Sequence, residues 1–405
     1  AFTVWSVDHA VVVGAGIGGL TASLVLSRVA ARVTLVERAE RPHEVGAALA
    51  LQPNGMAVLD RLGLLPAVEA ASARIDRMDI RSVTGRRLLT AEMPDLGGGL
   101  DHAIAVRRTD LHRMLLEAVA GVASIDTRFG YAAVSADPSG AVTITSAAES
   151  GPDLGSTSLR ADLIVGADGV NSAVRSTGGF MSQVSLGSSY VRAIVRGQAS
   201  PWFEEYWTPL GSFGHAPLGN GLVYFWAAAH VAAAADAVSR RDLGAFRQEW
   251  RRVLPAAADL LDRVLSFDDL LINTVSRVDC RRWFSGRLIL LGDAAHAMPP
   301  NLGAGANSAL VDAVVLAEEL ASAPSVMDAL VAYDKRQRPL ARRVQQTASM
   351  LQRLCGIQRV PARRVRDALL AGVARFPRLS EAAIRRPLAA DVRAIRSASV
   401  LGTAR

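Results

Sequence analysis

The sequence predicts an α/β protein in which a parallel-sheet domain shaped for a dinucleotide is interrupted by a mainly β insert and followed by a C-terminal helical segment. Three observations predict it. An apolar run, Ala10–Val13, opens into Gly14-Ala15-Gly16-Ile17-Gly18-Gly19, then a helical pattern, then a second strand, Arg32–Val36, ending on Glu37. Two more short apolar runs, Ala161–Val165 and Leu288–Leu291, each end in a glycine–aspartate loop, Gly166–Ser172 and Gly292–His296. Between those two runs the texture turns to short alternating stretches, the period-2 signature of sheet.

Strand, glycine turn, helix, strand, acid is the order of a Rossmann-type dinucleotide site. Gly14 permits the tight turn, Gly16 lets backbone approach a pyrophosphate, and Gly19 lets helix and strand pack closely. The helix N-terminus offers unpaired N–H groups and partial positive charge to phosphates. Glu37 can accept from both hydroxyls of an adenosine ribose and would repel a 2′-phosphate. By itself this motif leaves FAD and NAD both open.

With 405 residues, half of them hydrophobic, the chain can bury a large core and divide into two domains. The net charge of +7 comes almost wholly from arginine, Lys335 being the one lysine. The arginines thicken only after Arg336 and are not interleaved with aromatics, so nucleic-acid binding is not expected. Cys280 and Cys355 stand alone, which fits a reducing, cytoplasmic setting. No basic-then-apolar leader is expected at the N-terminus. The longest uncharged run, Tyr206–Ala235, is broken by Pro209, Pro217, Asn220 and several glycines and alternates like strands, so no membrane span is expected.

In chain order, a loop follows at Arg38–Val45, and a helix is expected from Pro53, with Met56, Leu59 and Leu62 on one face and Gly63 as its stop. Ile75–Thr90 reads as a hairpin about Thr84-Gly85, and Asp95–Leu100 as a glycine-rich loop. A helix opens after Val106 with Thr109 as its cap, which places Arg108 at a helix entrance. Tyr131–Val134 and Ala141–Thr145 flank a turn at Asp137–Gly140. Tyr190–Val195, Ser212–His215 and Leu222–Ala227 are strands of the insert. A helical stretch, Leu243–Val253, and alternating residues through Leu270–Val278 complete it. A long helix begins near Ser308, with Leu310, Val314, Ala317 and Leu320 in register. The expected division is 8–75, 103–180 and 275–345 for the dinucleotide domain, 76–102 and 181–274 for the substrate domain, and 346–405 for the C-terminal helices.

The C-terminal ends of parallel strands share one edge, where ligands bind. Three glycine-bearing loops therefore converge. NAD at the first would leave the others without work, whereas FAD is long enough to need all three.

The motifs GAGIGG (14–19), GADGVNS (166–172) and GDAAHAMPPNLGAGAN (292–307) occur in order, with an arginine before TDL and the stretch GAALALQPNG (46–55). Through them the chain resembles the group A FAD-dependent monooxygenases of the para-hydroxybenzoate-hydroxylase fold, in the salicylate-hydroxylase and zeaxanthin-epoxidase-like branch. The resemblance covers about Val11 to Ser349. It implies that Glu37, with Arg38 beside it, holds the adenosine ribose. It implies that Arg108 and Asp293 contact the phosphate–ribityl region, and that the Asp168 loop serves FAD and the nicotinamide donor. It also implies that Gly303, Ala304, Gly305, Ala306 and Asn307 lie against the flavin pyrimidine. Ala304 and Ser308 stand where glutamine is common in the family, and Ala48 where glycine is common.

The implied reaction is reduction of FAD by NADPH or NADH, capture of O2 as a flavin C4a-hydroperoxide, and transfer of one oxygen to an aromatic or polyketide-like small molecule. A monomer or homodimer is expected. The pocket is expected between the flavin and the insert, lined by Ser212, Tyr224, Trp226 and Pro299. His215 is the candidate base, because histidine titrates near neutrality, and Arg196 the candidate carboxylate or carbonyl anchor; both also read as structural. His296 reads as structural. The alternatives are an epoxidase or Baeyer–Villiger oxygenase on the same fold, an NAD-dependent dehydrogenase, and a non-catalytic flavin-binding protein.

Overall fold

A computed structural model of the chain describes residues 7–41, 47–147, 155–198, 200–375 and 388–402. Its centre is a six-stranded sheet in the order Phe284–Ser285, Leu288–Leu290, Leu163–Gly166, Val7–Val13, Ala30–Glu37, Ile125–Phe129. The last five pair in parallel, with Val11 opposite both Ile164 and Thr34 and Ile164 opposite Leu288. Parallel strands are covered on both faces, so they read as unbroken apolar runs; Ala10 to Val12, Leu163 to Val165 and Leu288 to Leu290 are all fully buried. The helices Ile17–Leu26, Arg108–Ala120 and Ala304–Ser322 pack on one another against this core.

The second layer is a seven-stranded sheet in the order Leu271–Cys280, Ser182–Arg196, Leu222–Ala228, Gly211–Gly219, Phe203–Thr208, Arg77–Ser82, Arg87–Glu92. The hairpin about Gly85 thus joins the sheet of the insert, its first strand running parallel to Phe203–Thr208. Period-2 alternation gives this sheet two unlike faces. Phe213, Phe225, Val191 and Ala193 point one way, beneath helix Leu243–Val253, whose Trp250 meets Phe213 at 5.5 Å between ring centroids. Tyr190, Arg192, Ser212, Tyr224, Trp226, Phe203 and Glu205 point the other way, toward the dinucleotide domain.

Several elements differ from the sequence expectation. The helix expected after Thr109 starts at Arg108, with Arg107 as its cap residue and the Arg107 guanidinium held on Asp110 at 2.7 Å. The long helix starts at Ala304, because Gly303, in a left-handed conformation (φ 60°), turns the chain directly into it. Strands Ile125–Phe129, Ser156–Arg160 and Phe203–Thr208 were not expected; the first two are edge strands of mostly exposed or half-buried residues and lack a clear pattern.

The C-terminal part folds back on the first domain. Helix Val326–Cys355 runs along the long helix, and residues 388–402 return to the start of the chain. There Asn54 donates to Asp391 (2.9 Å), Arg61 to the Ala398 carbonyl (2.8 Å) and Arg396 to the Gly97 carbonyl (2.7 Å), while Arg28 reaches the Leu401 carbonyl. Both cysteines are free and buried. Among the described residues, no helix is long and apolar enough to cross a membrane and no cluster could hold a metal ion.

Candidate active site

The three glycine loops meet. The Ala167 N–H donates to the Val13 carbonyl (2.8 Å) and the Leu291 N–H to the Gly166 carbonyl (3.0 Å). Arg175 ties the second loop to the third through the Val170 (2.6 Å) and Ala294 (2.8 Å) carbonyls. The approach is so close that a Cβ on Gly14 (φ 100°) would lie 2.6 Å from the Ala167 carbonyl oxygen, and one on Gly19 only 1.8 Å from that of Gly14. Around Gly16 the opposite holds: a Cβ there would meet nothing within 4 Å. The first helix therefore presents an open, uncapped N-terminus, the surface a pyrophosphate needs.

Glu37 ends its strand beside this turn, accepting from the Ala15 N–H (2.7 Å) and the Ala39 N–H (2.9 Å). Arg38 is exposed and lies off the cavity described below. Asp168 takes the Ala173 (2.7 Å) and Val174 (3.2 Å) N–H groups on Oδ2, while its buried Oδ1 has no hydrogen-bond partner among the described residues. Burial raises its pKa above the ordinary carboxylate value. A buried orphan acceptor at the loop edge fits a ligand bearing hydroxyls.

A cavity of about 660 Å³ runs from this cradle to the second sheet. Its cradle end is bounded by Gly16, Ala48, Arg108, Asp293, Gly303, Gly305 and Ala306. Ala304 is buried and does not line the cavity. Asn307 does not line the cavity, and its amide holds backbone: Oδ1 accepts from the Gln52 N–H (2.9 Å), and both Nδ2 hydrogens are used on the Ala50 (2.9 Å) and Gly303 (2.8 Å) carbonyls. It clamps strand Ala48–Leu51 against the start of the helix and so shapes the cavity from behind.

At the far end Ser212, Tyr224 and Trp226 line the cavity, as do Tyr190, Arg192, Phe203, Glu205 and Asn273, none of which the sequence singled out. Pro299 is buried and its neighbour Pro300 lines the cavity in its place. The floor is aromatic: Phe203 and Tyr224 meet Trp226 at 4.8 and 5.7 Å between centroids. Gly214 makes that platform possible, since a Cβ there would come within 1.9 Å of the Trp226 indole. Around it sit Arg192 Nε and Asn273 Oδ1, polar atoms without a hydrogen-bond partner among the described residues. Burial also pushes the Tyr190 and Tyr224 phenols above their ordinary pKa and the Glu205 carboxyl up to about 7.

His215 does not reach this cavity. Three positions from Ser212 on one strand, it faces the opposite side, and its Nε2 lies 3.5 Å from Glu204 Oε2. That contact, with the hydrogen bonds from Trp202 and Tyr206 and the Arg81 charge, holds Glu204 well below the carboxylate range. Arg196 is exposed at the end of its strand, its carbonyl accepting from Arg263. Neither is placed to touch a substrate on the Trp226 platform. His215→Ala is therefore expected to cost about 1–2 kcal/mol of stability, the scale of one buried polar pair, and to leave turnover unchanged; a drop in kcat at unchanged flavin content would reverse this placement.

A glycine cradle open at a helix N-terminus, with an acid beside it and an aromatic-lined cavity running on from the cradle, has the parts of a dinucleotide-dependent enzyme that works on a small molecule. The family described as FAD binding domain matches residues 8–348, and the chain belongs to it. It is 30% identical to a 2-heptyl-3-hydroxy-4(1H)-quinolone synthase of Mycobacteroides abscessus, over 87% of this chain and 91% of that one. It is also 30% identical to a 3-amino-4-hydroxybenzoate 2-monooxygenase of Streptomyces cremeus, over 84% and 86%. Among solved structures, a tetrameric form of 2-methyl-3-hydroxypyridine-5-carboxylic acid oxygenase superposes with a TM-score of 0.73 at 27% identity, covering 95% of this chain and 96% of that one. The chain is an FAD-dependent monooxygenase.

Proposed function

We propose that the enzyme takes electrons from NADH or NADPH and hydroxylates a planar one- or two-ring aromatic seated on the Trp226 platform. The observation that carries this is the continuity of the cavity from Gly16 and Asp293 to Phe203, Tyr224 and Trp226. The relatives' names, a quinolone synthase and an aminohydroxybenzoate monooxygenase, support the same substrate class.

Bound FAD would supply the redox and oxygen chemistry, which no side chain can. The protein's residues would do the rest. Gly16 and the first helix would hold the pyrophosphate, Glu37 the adenosine ribose, and Arg108, Asp168 and Asp293 the phosphates and hydroxyls beyond it. Gly303, Gly305 and Ala306, at the N-terminus of a 19-residue helix, would set roughly half a positive charge against the flavin ring. Arg192 would pair with an acceptor oxygen of the substrate. Met78, Met93, Phe203 and Trp226 would exclude water, so that reduced oxygen reacts with the ring and not with solvent.

The test uses the yellow holoenzyme and a panel of 4(1H)-quinolones and aminohydroxybenzoates. At least one compound should accelerate NADH or NADPH oxidation and gain one oxygen atom by mass spectrometry, its position separating hydroxylation from epoxide or ring-expanded products. Comparing the two nicotinamides identifies the donor. Reductant consumption that no compound stimulates would defeat the proposal. A cytoplasmic monomer or homodimer completes the proposal; light scattering distinguishes it from a tetramer such as the pyridine oxygenase forms.

A further inference from the structure

We propose that Glu205 accepts the acidic proton of the substrate and thereby restricts the cavity to aromatics whose reacting ring carries an O–H or N–H. The inference rests on the oxygenation reaction proposed above.

Glu205 lies on Phe203–Thr208 in one cross-strand row with Gly214, Trp226 and Arg192. Arg192 and Glu205 are three strand spacings apart, roughly 14 Å at the backbone, with the Trp226 indole lying over Gly214 between them. One end of the platform thus offers a fixed cation and the other a carboxyl. Among the described residues the carboxyl has one hydrogen bond, from Trp207 Nε1–H to Oε1 at 2.8 Å.

Among the described residues no countercharge faces it. Tyr190 and the Cys355 thiol, at the end of helix Val326–Cys355, are both kept neutral by burial, which raises their pKa values. Arg366 stands over the Trp207 ring at 5.2 Å but is held by Asp367 and the Leu354 carbonyl. Arg81 serves Glu204 and Asp79 on the other face. A buried carboxylate without a cation is costly, and a glutamine would satisfy Trp207 equally well. What a glutamine would lack is the ability to take up a proton near neutrality, and burial pushes the Glu205 carboxyl up to about 7, where a general base works best.

The step balances simply. The substrate's O–H or N–H bond breaks, its proton forms an O–H bond on Glu205, and the electron pair stays on the substrate heteroatom. That pair enriches the ring toward an electrophilic oxygen, and the negative charge moves from the carboxylate to the substrate, nearer Arg192.

The experiment compares the wild-type holoenzyme with Glu205→Gln, whose amide oxygen still serves Trp207. Each is titrated near pH 7 with 4-nitrophenol, whose own ionisation is near neutral, and with 4-nitroanisole, in which a methyl replaces the proton. Binding is read from the flavin absorbance. The wild type should bind the phenol at least tenfold more tightly than the ether, and the variant should bind both alike. Equal binding by the wild type, binding of neither, or an undiminished preference in the variant would overturn the proposal. With any compound the wild type oxygenates, kcat should rise with pH through about 7. The variant should lack that limb and run at least tenfold slower on the plateau, at unchanged flavin content; a variant that keeps the limb also overturns the proposal. A phenol preference that depends on Glu205 without oxygenation of any compound would support the proton acceptor and defeat the reaction.

Discussion

Gly16→Ala should yield a folded protein that emerges without its yellow colour. A methyl at this position meets no protein atom within 4 Å, so the apoprotein should melt at the wild-type temperature. The same methyl projects into the space a pyrophosphate must enter to reach the N–H groups of the first helix, and the helix charge that draws phosphate falls off within its first turn. Loss of that approach should weaken FAD binding at least a hundredfold, on the order of 3 kcal/mol. Gly19→Ala is the counterpart. Its Cβ would sit 1.8 Å from the Gly14 carbonyl oxygen, so helix and strand must part, an overpacking penalty of about 1–3 kcal/mol or more. The first substitution separates binding from stability, and the second ties them together. The flavin-to-protein ratio and the apoprotein melting temperature read both; a Gly16→Ala protein that keeps its full flavin complement would mean that the phosphates lie elsewhere.

Asp312→Ala should be the most destabilising of these substitutions. From inside the long helix, this buried carboxylate takes the Gly292 N–H (3.1 Å), His296 Nε2 (2.5 Å) and the Gln337 amide (3.2 Å). His296 is stacked on Trp283 at 4.8 Å between centroids and has no access to water. Removing the acid strands three buried donors at once, and breaking a buried pair from one side costs about 3–5 kcal/mol. The Gly292 turn, which presents Asp293 to the cavity, should loosen with it and flavin content should fall.

The pair also fixes a pH dependence. Burial alone would lower the His296 pKa, but the charge and hydrogen bond of Asp312, with smaller help from the Asp293 charge and a backbone hydrogen bond, outweigh it and raise the group above 6.5. A raised folded value means that its stabilisation is complete below 6.5 and is lost as pH rises through the folded value. The wild-type melting temperature should therefore decline from mildly acid to alkaline pH, and Asp312→Asn, which keeps an acceptor but no charge, should flatten that decline. Equal slopes in the two proteins would remove His296 as its source.

The cradle was legible in the sequence because it depends on local chemistry. A glycine forced by a carbonyl 2.6 or 1.8 Å away leaves its mark at one position, and buried parallel strands leave unbroken apolar runs. The far end of the cavity was legible only in part. Ser212, Tyr224 and Trp226 stood out as polar or aromatic residues on alternating strands, and the same parity already turned His215, an odd number of positions from Ser212, to the other face. Glu205 was hidden because its strand, Phe203–Thr208, carries two adjacent glutamates that read as surface. One of them faces an ion-pair network and the other an aromatic cavity, a distinction that only the neighbouring strands create. Arg192 and Arg196 share parity and look alike in sequence; what separates them is position along the strand, since one faces the platform and the other is exposed at the strand's end. Asn307 shows the converse: a motif residue near the cavity whose amide holds backbone.

The order of strands in the central sheet bears on how the protein matures in the cell. Val7–Val13 is flanked on one side by Leu163–Gly166, which in turn needs Leu288–Leu290. At a translation speed of ~5–20 residues per second, the first phosphate turn waits tens of seconds for the third partner strand to leave the ribosome. Such distant pairings also make folding slow. The cradle can then hold flavin only once Leu288–Leu290 has been made, and by mass action bound flavin draws the native state forward.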